Sequence, residues 1–282
     1  MIDRLAVVGL GLLGGSVAKA ARERGLAREV VAVGRRMESL TAALSDGVVD
    51  RATTDLPDGV AAADFVVLAT PVATIEALLP TVWQAAADRA VITDVGSTKG
   101  VITRCAERLA GDRPLTFVGS HPMAGSELSG YPAARADLFT AALVVVTPTD
   151  GTDPLALKRV SEFWEALGCR VIAMDPDDHD RAVAAVSHLP HLAAYALVDA
   201  VARLNRSFFG VAARGFKETT RIAASDARVW REIFLSNRAA LNEALAVFRS
   251  SLGDLERLVG EESGPALERK LDQIRELRSR LG

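Results

Sequence analysis

The chain has 282 residues, 49% hydrophobic and 24% charged, which is enough apolar material for a core and excludes a mainly disordered polymer. With 33 basic against 36 acidic side chains the formal charge is −3, so nothing in the overall balance favours DNA, RNA or an anionic membrane as a partner. Apolar runs are about five residues or shorter against the roughly 20 needed to cross a bilayer, and residues 1–20 lack the pattern of a secretory leader. Cys105 and Cys169 read as core thiols, and the expectation is a cytoplasmic protein.

Up to about residue 174, short β-branched runs alternate with Ala-rich segments, the pattern of strand–helix repeats in a parallel sheet. The first strand, Leu5–Val8, runs into Gly9-Leu10-Gly11-Leu12-Leu13-Gly14, a G-x-G-x-x-G turn opening a helix over Leu13–Arg24. Gly9 allows the tight turn, Gly11 lets the backbone approach a pyrophosphate, and Gly14 lets helix pack closely on strand, with the helix N-terminus facing the phosphates.

The second strand, Val30–Val33, should end in a carboxylate if the 2′-hydroxyl of NAD is to be bound. Gly34-Arg35-Arg36 stands there instead. A missing carboxylate removes repulsion against a 2′-phosphate, and a guanidinium pairs with one, so NADP is favoured, with NAD the alternative. Glu38 nearby keeps open the reading of both arginines as solvated charges. The next strand, Phe65–Ala69, is followed by Thr70 and Pro71, further cofactor-binding candidates, and by a helix over Ile75–Ala87. No metal is expected.

Ala90–Asp94 leads into Gly96-Ser97-Thr98-Lys99-Gly100, at the strand end where open α/β sheets bind ligands. Phe117–Gly119 leads into Ser120-His121-Pro122-Met123-Ala124-Gly125-Ser126-Glu127, which places a histidine suited to proton transfer in a Gly- and Pro-punctuated loop. Lys99 and Glu127 read equally as site residues or solvated loop charges. Strands Leu143–Thr147 and Cys169–Met174, around a helix over Leu155–Leu167, complete the first half.

After Met174 the strand pattern stops, dividing the chain into 1–174, a dinucleotide-binding domain, and 175–282, a helical domain. His179, in the acidic stretch 175–180, reads as a helix-start residue. Ser187-His188-Leu189-Pro190-His191 opens a helix whose apolar stripe runs through Leu189, Ala193, Ala196, Leu197, Ala200 and Leu204. Arg221 follows in Thr219-Thr220-Arg221, with Glu218 and Trp230 near it, and residues 264–281 form an amphipathic helix with Leu267, Leu271, Ile274, Leu277 and Leu281 on one face. Apolar stripes in excess of what one small domain hides point to a homodimer.

Five segments in register, residues 9–16, 94–100, 119–130, 187–191 and 215–226, resemble the prephenate/arogenate dehydrogenase family of tyrosine biosynthesis. The resemblance implies a Rossmann-type dinucleotide-binding domain followed by an all-α dimerisation domain. It also implies oxidative decarboxylation of a cyclohexadienol, with hydride passing from ring C4 to a nicotinamide. On that pattern His121 accepts the C4 hydroxyl proton and Ser97 orients its imidazole. Arg221 holds a substrate carboxylate, and His188, His191 and Glu127 complete the substrate-binding set. Prephenate and arogenate both remain open as substrate. A dinucleotide-binding sensor without chemistry is the competing class, and it leaves Ser97, His121 and Arg221 without a purpose.

Overall fold

The computed structural model describes residues 1–111, 116–125, 128–261 and 263–281, so Glu127 lies outside the described residues. Strands β1 (Ile2–Val8), β2 (Ala27–Val33), β3 (Arg51–Thr53), β4 (Phe65–Leu68), β5 (Val91–Asp94), β6 (Thr116–Pro122), β7 (Leu143–Thr147) and β8 (Arg170–Ala173) form one sheet in the order β3-β2-β1-β4-β5-β6-β7-β8. The helices between them are α1 (Leu12–Glu23), α2 (Met37–Ser45), α3 (Leu56–Val60), α4 (Val72–Ala85), α5 (Gly100–Leu109) and α6 (Pro154–Ala166).

Strands covered on both faces need apolar residues at every position, and the two faces sort by alternate residues. Leu5, Val7, Phe65 and Val67 pack with Val17 and Ala21 of α1 and with Phe163 and Trp164 of α6. Ala6, Val8, Val66 and Leu68 point the other way, into Ile75, Leu79 and Trp83 of α4 and Ile102 of α5. β1 pairs in parallel with both β2 and β4, so successive connections diverge from it and leave a crevice at its carboxyl end.

Two features depart from the expected parallel sheet. β3 was not foreseen, because a three-residue edge strand of Arg, Ala and Thr carries no hydrophobic pattern. β6 and β7 are antiparallel, with Ser120 opposite Val146 and His121 opposite Val145. His121 therefore sits on a strand and not in a loop; β6 runs through Pro122 because β7 supplies its hydrogen-bonding partner. A strand holds a side chain's direction more firmly than a loop does.

Beyond β8 every element is helical: α7 (Pro176–Val183), a π-helical turn (Ala184–His188), α8 (Leu189–Asn205), α9 (Arg214–Thr220), α10 (Ala227–Ser236), α11 (Arg238–Gly260) and α12 (Gly264–Ser279). Asp175 caps α7 by accepting from the Asp177 and Asp178 N–H groups at 2.8 and 3.1 Å, with Pro176 in the first turn. The expected α8 stripe is not buried within the chain, since Leu197 and Leu204 are exposed. Val247, Phe248 and Leu252 of α11 and Leu271, Ile274 and Leu277 of α12 are exposed as well.

Candidate active site

The glycine turn forms as its residue types require. Gly9 has φ 96°, a left-handed conformation that disfavours a side chain. A Cβ on Gly14 would stand 2.0 Å from the Gly9 carbonyl oxygen and 2.9 Å from Ala69 Cβ, so Gly14 is the helix–strand contact. Gly11 caps α1 with no side-chain hydrogen bond, and a Cβ built there meets nothing within 4 Å. The uncapped start of α1 at Gly11 therefore faces open space.

That space is a cavity of about 1020 Å³. Gly9, Leu10, Gly11, Gly34, Arg35, Arg36, Thr70 and Pro71 line it, while Leu12, Leu13 and Gly14 do not. Leu12 and Leu13 are half-buried in the first turn of α1, and Gly14 is enclosed behind the turn. Thr70 Oγ1 is buried on the wall without a hydrogen-bond partner among the described residues. An uncapped helix terminus, open space over Gly11 and an orphaned hydroxyl fit the pyrophosphate of a dinucleotide. Arg35 and Arg36 form no ion pair among the described residues, and Glu38 shares the same wall. Sequence reasoning missed Tyr131, whose hydroxyl donates to Asp46 at 2.8 Å, and Glu232 of α10, which brings the helical half to the rim. Neither lies in a motif.

The proton-transfer end is built under β5 and β6. Of the two readings left open for Lys99, burial removes the solvated one: it is fully buried, its ammonium pairs with Asp94 and donates to the Ser120 carbonyl at 2.8 Å. Asp94 also accepts from the Ser120 and Gly96 N–H groups at 3.0 and 2.8 Å. Burial lowers the Lys99 pKa, and Asp94 works against that shift. This network fixes the backbone immediately before His121.

His121 Nδ1 lies 2.9 Å from His179 Nε2, and His179 Nδ1 lies 2.9 Å from Asp180 Oδ1. His179 is thus a buried partner of His121, not a helix-start decoration; its solvent-facing neighbours Asp177 and Asp178 hid this in the sequence. Ser97, expected to hydrogen-bond and orient His121, is half-buried on the β5–α5 turn and makes no hydrogen bond among the described residues; His179 is the group that meets His121 Nδ1. Burial holds His121 well below the ordinary histidine pKa, aided by the charges of His179, Lys99 and His188.

Asp180 accepts the Lys99 N–H at 2.7 Å and the Gly100 N–H at 2.9 Å, tying α7 to the start of α5. Its carbonyl accepts from Asn237 Nδ2 at 2.7 Å, and the same amide lies 3.2 Å from His188 Nδ1. Burial pushes His188 down to about 4. His188 meets Trp230 edge-on at 6.2 Å, and His191 stacks on Trp230 with ring centroids 3.4 Å apart. His191 Nδ1–H donates to the Ser187 carbonyl at 2.9 Å. Its pKa is lowered first by burial and then by the charge of Arg221, which is exposed and without an ion pair among the described residues. Glu218, by contrast, pairs with Arg214 on the surface at 2.6 Å. A continuous run of contacts therefore leads from His121 through His179, Asp180 and Asn237 to His188, Trp230 and His191, whose pKa feels the charge of Arg221.

Residues 17–173 match the family described as prephenate dehydrogenase, nucleotide-binding domain, and residues 175–273 match prephenate dehydrogenase, dimerization domain. The chain is similar to the prephenate dehydrogenase of Bacillus subtilis (strain 168), 32% identical across 100% of this chain and 76% of that protein. Among solved structures it is similar to prephenate dehydrogenase from Aquifex aeolicus in complex with hydroxyphenyl propionate and NAD+, with TM-score 0.92, 35% identity and coverage of 100% and 99% of the two chains. Arogenate dehydrogenase from Synechocystis gives TM-score 0.88 and 32% identity, over 99% of this chain and 100% of that one.

Proposed function

The chain belongs to the prephenate dehydrogenase family, and from that premise we propose that it oxidatively decarboxylates prephenate to 4-hydroxyphenylpyruvate with a nicotinamide dinucleotide as hydride acceptor. The observation that carries this is the strand-held His121, tied through His179, Asp180 and Asn237 to His188 and on through Trp230 to His191, with Arg221 exposed and without an ion pair among the described residues. As hydride leaves ring C4 its hydroxyl becomes acidic, and a base below its ordinary pKa is free to accept that proton at neutral pH. Arg221 pairs with a substrate carboxylate, and His188 and His191 shape the pocket. Loss of the ring carboxylate as carbon dioxide gives an aromatic product, which makes the step one-way.

The glycine turn and Thr70 would hold the cofactor's pyrophosphate, and the nicotinamide supplies the hydride-accepting ring. NADP is the preferred cofactor on this reading. Gly34 supplies no carboxylate at the end of β2, and Arg35 and Arg36 line the cavity free of ion pairs among the described residues. Arg35→Ala should raise the KM for NADP with little change for NAD; equal changes in both would make Arg35 structural. The deciding assay is a two-by-two: prephenate or arogenate with NAD or NADP, followed by absorbance of the reduced nicotinamide. Turnover in any cell supports the chemistry and identifies the pair; silence in all four, with dinucleotide still bound, overturns the substrate assignment.

The division of labour falls between residues 174 and 175, and the helical half pairs with a second copy, in the cytoplasm. Both large core clusters lie at or before Cys169, while the helical half leaves the apolar faces of α8, α11 and α12 open. A domain without a core of its own is stabilised by a partner surface. Sedimentation should give a dimer at micromolar concentration, and a monomer there would overturn the pairing.

A further inference from the structure

His179 and Asp180 lie in no expected motif, yet they form a chain of hydrogen bonds behind His121. Asp180 Oδ1 accepts from the Lys99 N–H and Oδ2 from the Gly100 N–H, at 2.7 and 2.9 Å. Backbone N–H groups can only donate, so both oxygens act as acceptors, an arrangement that favours the carboxylate. Burial pushes its pKa up, but the hydrogen bonds from His179, Lys99 and Gly100 outweigh this and leave it below the usual carboxylate range.

A carboxylate at 2.9 Å requires the proton of His179 on Nδ1. With both rings neutral, His179 Nε2 then carries a lone pair, and the single proton in the 2.9 Å contact belongs to His121 Nδ1. His121 is left with its lone pair on Nε2. Free imidazole offers no such guarantee, because either nitrogen carries the proton.

We propose that His179 and Asp180 are positioning residues that form a proton relay behind His121, fixing Nε2 as its basic atom and taking up the proton displaced from its Nδ1. This rests on the dehydrogenase reading for the identity of the proton. The substrate O–H bond breaks as the His121 Nε2–H bond forms; the His121 Nδ1–H bond breaks as the His179 Nε2–H bond forms. The positive charge then resides on His179 against the Asp180 carboxylate. After product leaves, the two transfers reverse and His121 Nε2 releases the proton to water. Among the described residues, Lys99 and Asp94 from the β5–α5 segment and His188 from the π-helical turn are the other titratable groups facing this pair, and the Lys99 charge is neutralised by Asp94.

The test has two readouts. In nitrogen-15 NMR of the histidine-labelled wild-type protein, His121 should be the Nδ1–H tautomer, which needs neither substrate nor variant; protonation on Nε2 overturns the proposal. His179→Phe keeps ring volume and leaves the Asp180 contacts with α5 in place. It should lower kcat by about 100-fold or more, since losing a base's tautomer in a comparable triad costs about 10⁴-fold. The KM values should stay within about threefold, as expected for an interaction made only in the transition state. In that variant the His121 signal should show Nε2–H. A kcat within about threefold of wild type also overturns the proposal. Were neither dienol oxidised while wild-type His121 showed Nδ1–H, the substrate reading would fail and the tautomer assignment behind the relay would be supported.

Discussion

His121→Asn should bind the dinucleotide as the wild-type protein does and lose about 100-fold or more in kcat, the scale on which a positioned general base acts. Asparagine preserves a polar group of similar reach on β6 but has no basic nitrogen. The supporting contacts of Lys99 are to the Ser120 carbonyl and Asp94 and do not touch the imidazole, so the fold should survive the change. The check is a pair of measurements, cofactor titration by fluorescence and turnover by absorbance. Retained turnover would remove His121 from the base role.

The same residue sets the pH profile. A base works in its neutral form, and His121 is held well below its ordinary pKa, first by burial. Activity should therefore persist as pH falls through about 6.5, the ordinary histidine value, and decline only beneath it. Stability moves in the same direction for His188, which is at about 4 when folded. Between that value and about 6.5 the unfolded chain binds the extra proton, so lowering the pH through this window weakens the fold. An acid limb at or above pH 6.5 in kcat/KM would contradict the burial argument.

The second large effect is structural. Lys99→Met should destabilise the protein by about 3–5 kcal/mol, because it leaves the Asp94 carboxylate buried without its counter-charge. Asp94 retains the Ser120 and Gly96 N–H donors, but two dipoles do not replace an ammonium in a site with no solvent access. Urea and thermal denaturation measure the loss. The double variant Lys99→Met, Asp94→Leu should recover part of it, since exchanging a buried pair for apolar groups is often neutral. A single variant as stable as wild type would show that water reaches Asp94. Because Ser120 precedes His121 on β6, kcat should fall along with stability.

The sequence by itself determined what depends on local chemistry. Apolar strands at Leu5–Val8 and Phe65–Ala69, glycines where no Cβ fits at Gly9 and Gly14, and the end of the strand pattern before α7 are properties of consecutive residues, and each reads directly from one segment. The dinucleotide crevice follows from them, because a strand, a glycine turn and a helix N-terminus are adjacent in the chain. Motif order across both halves was legible for the same reason.

Tertiary structure alone decided the partners. The antiparallel pairing of β6 with β7 turned an expected loop into a strand and set the direction of His121. His179 looked like one more polar residue in an acidic run, and its burial depends on α7 packing against the start of α5, 80 residues away at the Gly100–Asp180 contact. Lys99 read equally as a site residue or a solvated charge, and only the closure of Asp94 and Ser120 around it decides between them. Hydrogen bonds and ion pairs between distant segments leave no periodic trace in the sequence, since one suitable residue at each end suffices and nothing between them is constrained.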